Sequence, residues 1–353
     1  MPETSLSGRA RLLLDPGALV YHLDPDHPTH PYRLQPLIDL LEMSGIGLHD
    51  VSARLRGRAA TPEELCLAHT SDYIAAVQRL STSQDALAQE EEREERAKIA
   101  LRYGFADGDT PIHPEMHEVS ARIAGGTLVA LCAVMGLPGG MLSEEGEPPL
   151  HVFHPAGGRH HAWANRASGS CVYNDAVIAI AHLLQASAAR VLSLDFDAHH
   201  GDGVQRAFYD DPRVMTVSFH ETGRSLFPGT GDILEVGKGT GRGYAVNLPL
   251  EPFTDDDSYI EVMHAVLPSL VSSFAPDVIV SQHGCDTHAW DPSSHLHLTM
   301  RGIQAQFKAV HELAHAACGG RWVALGGGGT DPYRVIARAW AGLWAEMSEQ
   351  LLP

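Results

Sequence analysis

Short apolar segments rich in β-branched residues alternate along this chain with longer segments of helical period. A strand that is apolar along its whole length must be covered on both faces, which is typical of parallel sheets with helices on each side. We therefore predict an α/β fold with a single open, mostly parallel sheet flanked by helices on both faces. The predicted strands are 18–21, 150–153, 191–196, 214–219, 278–281 and 322–325, and the main predicted helices are 121–134, 176–185, 258–273 and 303–317.

The alternation continues through the chain without an internal repeat, so we predict one catalytic domain over residues 1–353. Residues 81–100 contain a run of Glu and Arg and are interpreted as a polar helical insertion or a solvated helix face. Residues 136–149 are rich in Gly, Pro and Glu and are predicted to form a surface loop, because strands and helices resume on either side.

Charge and cysteine content exclude several classes of function. The formal net charge of −19 disfavours nonspecific binding to nucleic acid or to an anionic membrane, and suits cationic partners such as lysine-bearing segments. No apolar run is long enough for a membrane helix and the N-terminus lacks signal-peptide features, so we expect a soluble, cytoplasmic protein. Five scattered cysteines without a CxxC pair indicate neither a disulfide framework nor a thiolate metal site. The 22 histidines, several in tight clusters, instead favour metal chemistry.

The polar clusters follow the predicted strands, at the edge where parallel sheets bind ligands. Asp197 and His199 are two residues apart in an extended segment, so both face one side, with Asp195 behind them. Asp286 follows another strand and supplies a third ligand, which leaves a fourth position of a catalytic zinc free. Ferrous iron is accepted by the same donors. The alternative is that these carboxylates cap helices or form ion pairs.

Two adjacent histidines, His160 and His161, follow a glycine-containing turn that allows close approach to the site. Neither is needed as a ligand, so one can act as general base on the attacking water and the other can hold charge or protonate the leaving amine. Asp195 and Asp202 are the carboxylates expected behind them. A purely structural or exposed histidine pair is the alternative.

A run of four glycines, 326–329, follows the last predicted strand. Without Cβ atoms it can form a narrow channel wall, with Thr330 then facing the metal pocket. A flexible turn with no further role is the alternative.

Together these segments resemble the histone deacetylase family, which has the arginase/deacetylase fold, and most closely its prokaryotic acetoin-utilisation branch. The resemblance covers nearly the whole chain. The motifs that carry it are His30-Pro31-Tyr32-Arg33, Asp109-Thr110-Pro111, 157–162, 169–175, 195–203, 227–232, 282–287, 326–329 and Pro332-Tyr333-Arg334.

The resemblance implies a role for each matching residue. Asp197, His199 and Asp286 would be zinc ligands, with His160 the general base paired with Asp195, and His161 the second histidine paired with Asp202. Residues expected to contact substrate or line its channel are Asp109, Gly169, Ser170, Phe227, Ser293 and Gly328, with Arg33 near an inner acetate-release cavity. A potassium ion would be bound by Asp195, Asp197, His199, Ser218 and Phe219, with a second site near Phe208, Val214 and Tyr244.

Four positions depart from the family pattern, and each has a small hydroxylated residue in place of a large one. Thr330 stands where the family has a tyrosine that donates to the oxyanion. Ser170 replaces a channel aromatic, Ser293 replaces Leu or Met, and Ser225 replaces a tyrosine frequent in this branch; all four are expected to line one pocket. Losing one oxyanion donor typically costs about 10²- to 10³-fold in rate, so acetyl-lysine hydrolysis is expected to be slow.

These observations lead to one main hypothesis about function and two alternatives. The main hypothesis is a zinc-dependent amidohydrolase that removes acyl groups from acylated lysine side chains of a protein or peptide, with weakened activity on acetyl-lysine. The alternatives are a catalytically poor, zinc-containing protein that binds acyl-lysine, and a deacetylase of small acylated amines such as polyamines.

Overall fold

The computed structural model describes residues 9–19, 23, 27, 30–46, 53–82, 90–106, 108–140 and 147–351. Eight strands form one sheet in the order β2-β1-β3-β8-β7-β4-β5-β6, and every neighbouring pair is parallel. The predicted open α/β fold is confirmed, with a wholly parallel sheet. The strands are β1 Ala10–Leu13, β2 Arg54–Leu55, β3 His151–His154, β4 Val191–Asp195, β5 Val214–Glu221, β6 Ala245–Leu250, β7 Val278–Gln282 and β8 Trp322–Leu325.

Helices cover both faces of the sheet. Consecutive residues of each central strand point to opposite faces, and accordingly Val152 and Phe153 of β3 belong to two different hydrophobic clusters. One cluster is packed by α1, α8, α9 and α10, and the other by α3, α5 and α6. The helices are α1 Gln35–Ser44, α2 Pro62–Leu65, α3 Ser71–Leu80, α4 Glu90–Tyr103, α5 Met116–Val134, α6 Asp175–Ala186, α7 Asp202–Ala207, α8 Asp256–Phe274, α9 Met300–Cys318 and α10 Ala337–Ser348.

The predicted strand at 18–21 is wrong. The N-terminal strand is Ala10–Leu13, and Pro16–Ala18 forms a 3₁₀ turn. Proline fixes φ at the first position of this turn, and the Asp15 side chain caps the turn by accepting a hydrogen bond of 3.0 Å from Gly17 N. These residues therefore favour a turn over a strand. Residues 20–21 of that prediction lie outside the described part of the chain.

Part of the segment predicted as a polar helix at 81–100 forms a helix, and most of its residues are exposed. Residues 83–89 are outside the described ranges, and α4 spans Glu90–Tyr103. Its Arg96 is buried and donates to the carbonyls of Leu80 and, at 3.1 Å, Arg79, so α4 is anchored on the end of α3. Of the predicted surface loop, 136–140 form turns after α5, and 141–146 are not described. Within the described ranges, no helix combines the length and apolarity needed to cross a bilayer.

Candidate active site

The polar clusters that follow the strands meet in one pocket at the carboxyl edge of the sheet. Strands β3, β4, β7 and β8 are neighbours, so the segments after them are brought side by side. The pocket has a volume of about 410 Å³. It is lined by Arg33, Asp109, Gly158, Arg159, His160, His161, Gly169, Ser170, Cys171, Asp197, His199, Phe227, Asp286, Ser293, Gly327, Gly328, Gly329 and Thr330.

Asp197, His199 and Asp286 lie at the floor of this pocket with ligand atoms all within 4.8 Å of one another. His199 Nδ1 lies 3.1 Å from Asp197 Oδ1 and 2.9 Å from Asp286 Oδ2. Both carboxylates are 1% exposed. Two buried carboxylates and one imidazole facing one another are a donor set that fits a divalent cation such as zinc.

Surrounding donors fix the two carboxylates in place. Asp197 Oδ2 accepts from Gln282 Nε2 at 2.6 Å and from Gly328 N at 2.8 Å. Asp286 Oδ1 accepts from Ala198 N at 2.9 Å. A Cβ on Gly328 would lie 2.3 Å from Asp286 Oδ2, so only glycine permits this approach of the backbone.

The two carboxylates change each other's pKa because they face each other in a buried site. Burial and the neighbouring charge of Asp197 raise the pKa of Asp286 to about 7. Burial acts on Asp197 in the same direction, but the positive charges of His160 and His199 outweigh it and lower its pKa. Without a cation, ionising both carboxylates is therefore unfavourable. A bound metal ion would stabilise the form in which both are charged.

Two buried histidine–aspartate pairs lie beside Asp197, His199 and Asp286. His160 Nδ1 lies 2.8 Å from Asp195 Oδ2, and His161 Nδ1 lies 2.7 Å from Asp202 Oδ1. Trp163 Nε1 donates to the other Asp202 oxygen at 2.7 Å. In both pairs Nδ1 is held by the carboxylate, so Nε2 is the nitrogen left for proton transfer.

The two imidazoles cannot both be charged easily, because their ring centroids are only 3.9 Å apart. Burial lowers the pKa of His160, but Asp195 and Asp197 outweigh it and raise that pKa to about 9. Burial, followed by the charge of His160, lowers the pKa of His161 to about 4. Without a metal ion, His160 is therefore the positively charged member of the pair at neutral pH, and His161 is neutral.

Thr330 faces the pocket, but its hydroxyl is already engaged. Both its backbone N, at 2.6 Å, and its Oγ1, at 3.1 Å, donate to Asp291 Oδ2. The other Asp291 oxygen accepts from Ser293 N at 3.0 Å and Ser293 Oγ at 2.6 Å. A hydroxyl has a single proton, so a Thr330 side chain that donates to Asp291 has none for a substrate oxygen.

The predicted substrate residues all line the same pocket. Of the four hydroxylated positions expected there, Ser225 lies elsewhere. Ser170 Oγ donates to Asp109 O at 2.7 Å, which joins two parts of the rim. Phe227 is 48% exposed, and its ring centroid lies 5.2 Å from that of His161. Ser225 was expected in this pocket, but it is not among the lining residues; its Oγ donates to Glu221 Oε1 at 2.7 Å.

Two of the predicted potassium ligands, Asp195 and Ser218, lie on the neighbouring strands β4 and β5. Asp195 pairs in register with Ser218 of β5, and both border a small cavity of about 10 Å³. Ser218 Oγ is 2.9 Å from His220 Nδ1. Of the second predicted potassium site, Phe208 follows α7 and Val214 begins β5.

Two residues of the site had not been predicted. Trp163 supports Asp202, and Asp291 binds both Ser293 and Thr330. Both act from behind the pocket wall, and neither belongs to a motif whose spacing indicates metal or acid–base chemistry.

An all-parallel, eight-stranded open sheet with this pocket at its carboxyl edge defines an α/β protein of the arginase/deacetylase fold. The family model for the histone deacetylase domain matches residues 27–347. The chain belongs to the histone deacetylase family, and this assigns it to the deacetylases among the hydrolases. Members of this family generally depend on zinc.

Similar proteins include the acetoin utilization protein AcuC of Bacillus subtilis (strain 168), which is 43% identical over 335 residues, 95% of this chain and 81% of that protein. AcuC of Staphylococcus xylosus is 38% identical over 324 residues, 92% of this chain and 78% of the relative. A crystal structure of an HDAC homolog from Aquifex aeolicus superposes with a TM-score of 0.82 at 30% identity, over 98% of this chain and 85% of that chain. A structure of an HDAC homolog complexed with SAHA has a TM-score of 0.81, also at 30% identity.

Proposed function

We propose that this chain, as one catalytic domain, is a zinc-dependent amidohydrolase that removes acyl groups from acylated lysine side chains on proteins or peptides. Its activity on acetyl-lysine is weakened. The observation that carries the proposal is the convergence of the Asp197, His199 and Asp286 donor set with two buried histidine–aspartate pairs in one pocket. A cytoplasmic location belongs to the proposal, and the five free cysteines are consistent with a reducing compartment.

Zinc would be held by Asp197, His199 and Asp286, where it would supply a Lewis acid that polarises the scissile carbonyl and acidifies the attacking water. The donor chemistry supports zinc, and ferrous iron is the alternative ion. Potassium is proposed at Asp195, Asp197, His199, Ser218 and Phe219, on the strength of the family resemblance and of the small cavity between β4 and β5.

His160 is proposed as the general base and His161 as the group that stabilises charge or protonates the leaving amine. The charge of Asp195 does most to raise the pKa of His160, and the charge of Asp197 raises it further. Because Asp197 is also a proposed metal ligand, a bound divalent cation would offset that charge and return His160 towards the neutral form that a base requires. Asp195 and Asp202 hold the two rings in the tautomer with Nδ1 protonated.

The rate on acetyl-lysine is expected to be low because the oxyanion lacks a side-chain donor. The Thr330 hydroxyl donates to Asp291, and a threonine side chain is shorter than the tyrosine of the family pattern. The loss of one such donor typically reduces the rate about 10²- to 10³-fold.

The same Thr330 contact favours a second candidate function, a catalytically poor zinc protein that binds acyl-lysine without efficient turnover. The hydroxylated wall formed by Ser170, Ser293 and Thr330 also suits a bulkier or more polar ligand than a thin lysine stem, such as a small acylated polyamine. These candidates differ in turnover and in substrate, so kinetics separates them.

The test is zinc-dependent hydrolysis of acetyl-, trifluoroacetyl- and longer acyl-lysine peptides, and of acetylated polyamines, by the native chain and by Thr330→Tyr. Asp286→Ala provides the metal-depleted baseline. The proposal expects hydrolysis above that baseline and a gain of about 10²-fold or more on acetyl-lysine in Thr330→Tyr. If both forms hydrolyse at the baseline rate and bind acyl-lysine tightly, the proposal of an enzyme is wrong and the acyl-lysine binding protein is the better explanation. A preference for acetylated polyamines would redefine the substrate.

A further inference from the structure

A second cluster of metal-ligating side chains lies at the opposite edge of the sheet from the active site. It consists of His151, His311 and His315, which we call the triple-histidine cluster. His151 is the first residue of β3, whereas the active-site segments follow the carboxyl ends of the strands. His311 and His315 are four residues apart on α9 and therefore project from the same side of the helix.

The cluster meets the same distance criterion as the proposed catalytic ligands: one ring nitrogen from each histidine lies within 4.8 Å of the other two. Nε2 of His151 and Nε2 of His315 are 3.2 Å apart. Two imidazole nitrogens at about 2.0–2.1 Å from a tetrahedral zinc ion are separated by about 3.3 Å, so this pair already has the spacing of two zinc ligands.

The third histidine is oriented by a carboxylate. His311 Nδ1 lies 2.8 Å from Glu346 Oε1 on α10, so its Nδ1 carries the proton and Nε2 keeps its lone pair. That Nε2 is buried and has no hydrogen-bond partner within the described ranges. A metal-ligating histidine almost always donates its other N–H to a carboxylate, carbonyl or water, as here.

A simple hydrogen-bonded histidine cluster explains less of this arrangement. One N–H between His151 and His315 would account for their contact, but it would leave His311 Nε2 buried without a partner. A cation bound by the three Nε2 atoms would give that nitrogen a partner, whereas His151 Nδ1 is buried without a partner in the described ranges under either arrangement. His311 and His315 are partly exposed, which gives an ion a route from solvent.

We propose that the triple-histidine cluster binds a zinc-class divalent ion through three imidazole nitrogens, with a fourth position open to water. The ion would take no part in the proposed reaction. It would join β3 to α9, and through Glu346 to α10, on the edge of the sheet away from the catalytic pocket. This site does not depend on the proposed catalytic function.

The test is zinc stoichiometry at controlled free zinc, measured by elemental analysis of the folded protein. The native chain is expected to bind two equivalents and His315→Gln one. His264→Gln, which changes an exposed histidine on α8, is the matched control and should keep two. Asp286→Ala should lose the catalytic equivalent, and Asp286→Ala combined with His315→Gln should bind none.

A second variant removes only the supporting carboxylate. Glu346→Gln leaves the three imidazoles in place and is expected to weaken zinc binding at the cluster about 10- to 100-fold. Zinc should also raise the melting temperature of Asp286→Ala, and His315→Gln should abolish that rise. If His315→Gln and Glu346→Gln both bind zinc with the stoichiometry and affinity of the native chain, the cluster is a hydrogen-bond network and the proposal is wrong. If Asp286→Ala keeps two equivalents of zinc, the assignment of the catalytic ligands is wrong. The result for His315→Gln still tests whether the triple-histidine cluster binds zinc.

Discussion

Adding one methyl group at Gly328 is expected to disable the proposed metal site while leaving the fold intact. A Cβ at this position would lie 2.3 Å from Asp286 Oδ2 and 2.8 Å from Asp197 Oδ2, whereas ordinary contact begins at 3.4 Å. Asp286 would therefore have to move by about 1 Å, and a misplacement of that size in a catalytic site can cost about 10²-fold in rate. We expect Gly328→Ala to lose most of its zinc and at least about 10²-fold of the native hydrolysis rate.

The assay combines zinc content, acyl-lysine hydrolysis and thermal unfolding. Local overpacking is expected to lower the free energy of unfolding by about 1–3 kcal/mol, which a protein of this size can withstand. Gly342→Ala is the matched control, because its Cβ would meet only Phe307 at 3.9 Å inside α10, where alanine favours the helix. Full zinc content together with native activity in Gly328→Ala would refute the assigned position of the carboxylates.

Three further predictions concern the surrounding residues. His160→Asn should reduce hydrolysis by about 10²-fold or more while keeping the zinc content, because it removes the proposed base but none of the proposed ligands; an unchanged rate at neutral pH would contradict this role. Ser170→Phe, which restores the aromatic residue of the family pattern, should lower KM for acetyl-lysine more than it changes kcat, and an unaltered KM would show that this wall does not contact substrate. Stability should fall in acid because His69, whose pKa burial lowers from 6.5 to about 4, stays neutral in the fold while the unfolded chain takes up a proton. The free energy of unfolding should fall by about 1.4 kcal/mol per pH unit below 6.5, and by about 3 kcal/mol in total at pH 4. In urea unfolding, the stability of His69→Gln should depend less steeply on pH than that of the native chain. The same pH dependence in both proteins would contradict this role of His69.

The neutral form of His69 is fixed by its contacts. Its Nε2 accepts from Asn174 N at 2.9 Å, and its Nδ1 lies 3.0 Å from Trp163 O. A proton on Nε2 would oppose the Asn174 N–H group, which agrees with the direction of the pKa change.

The central sheet could be predicted from the sequence because its strands are continuous apolar runs. The end strands were harder to recognise. β6, Ala245–Leu250, contains Asn247 and Pro249, and only an edge strand with one neighbour tolerates proline in this way. β2 has only two residues, too few for any periodic pattern.

The sequence could bring the proposed metal ligands and acid–base residues into one site because neighbouring parallel strands bring their carboxyl ends together, a rule that needs only the order of segments. Contacts that depend on loop conformation could not be placed. Asp291 and Thr330 are 39 residues apart and both lie outside the strands. His151 and His315 are separated by 164 residues and meet only because β3 passes the end of α9. No spacing in the sequence brings out either pair.

The most direct test of the account is a crystal structure of the zinc-loaded protein with anomalous data collected on both sides of the zinc absorption edge. We predict a zinc peak in contact with Asp197, His199 and Asp286 at the floor of the pocket. An active, zinc-loaded protein with no anomalous peak among these three side chains would contradict the account.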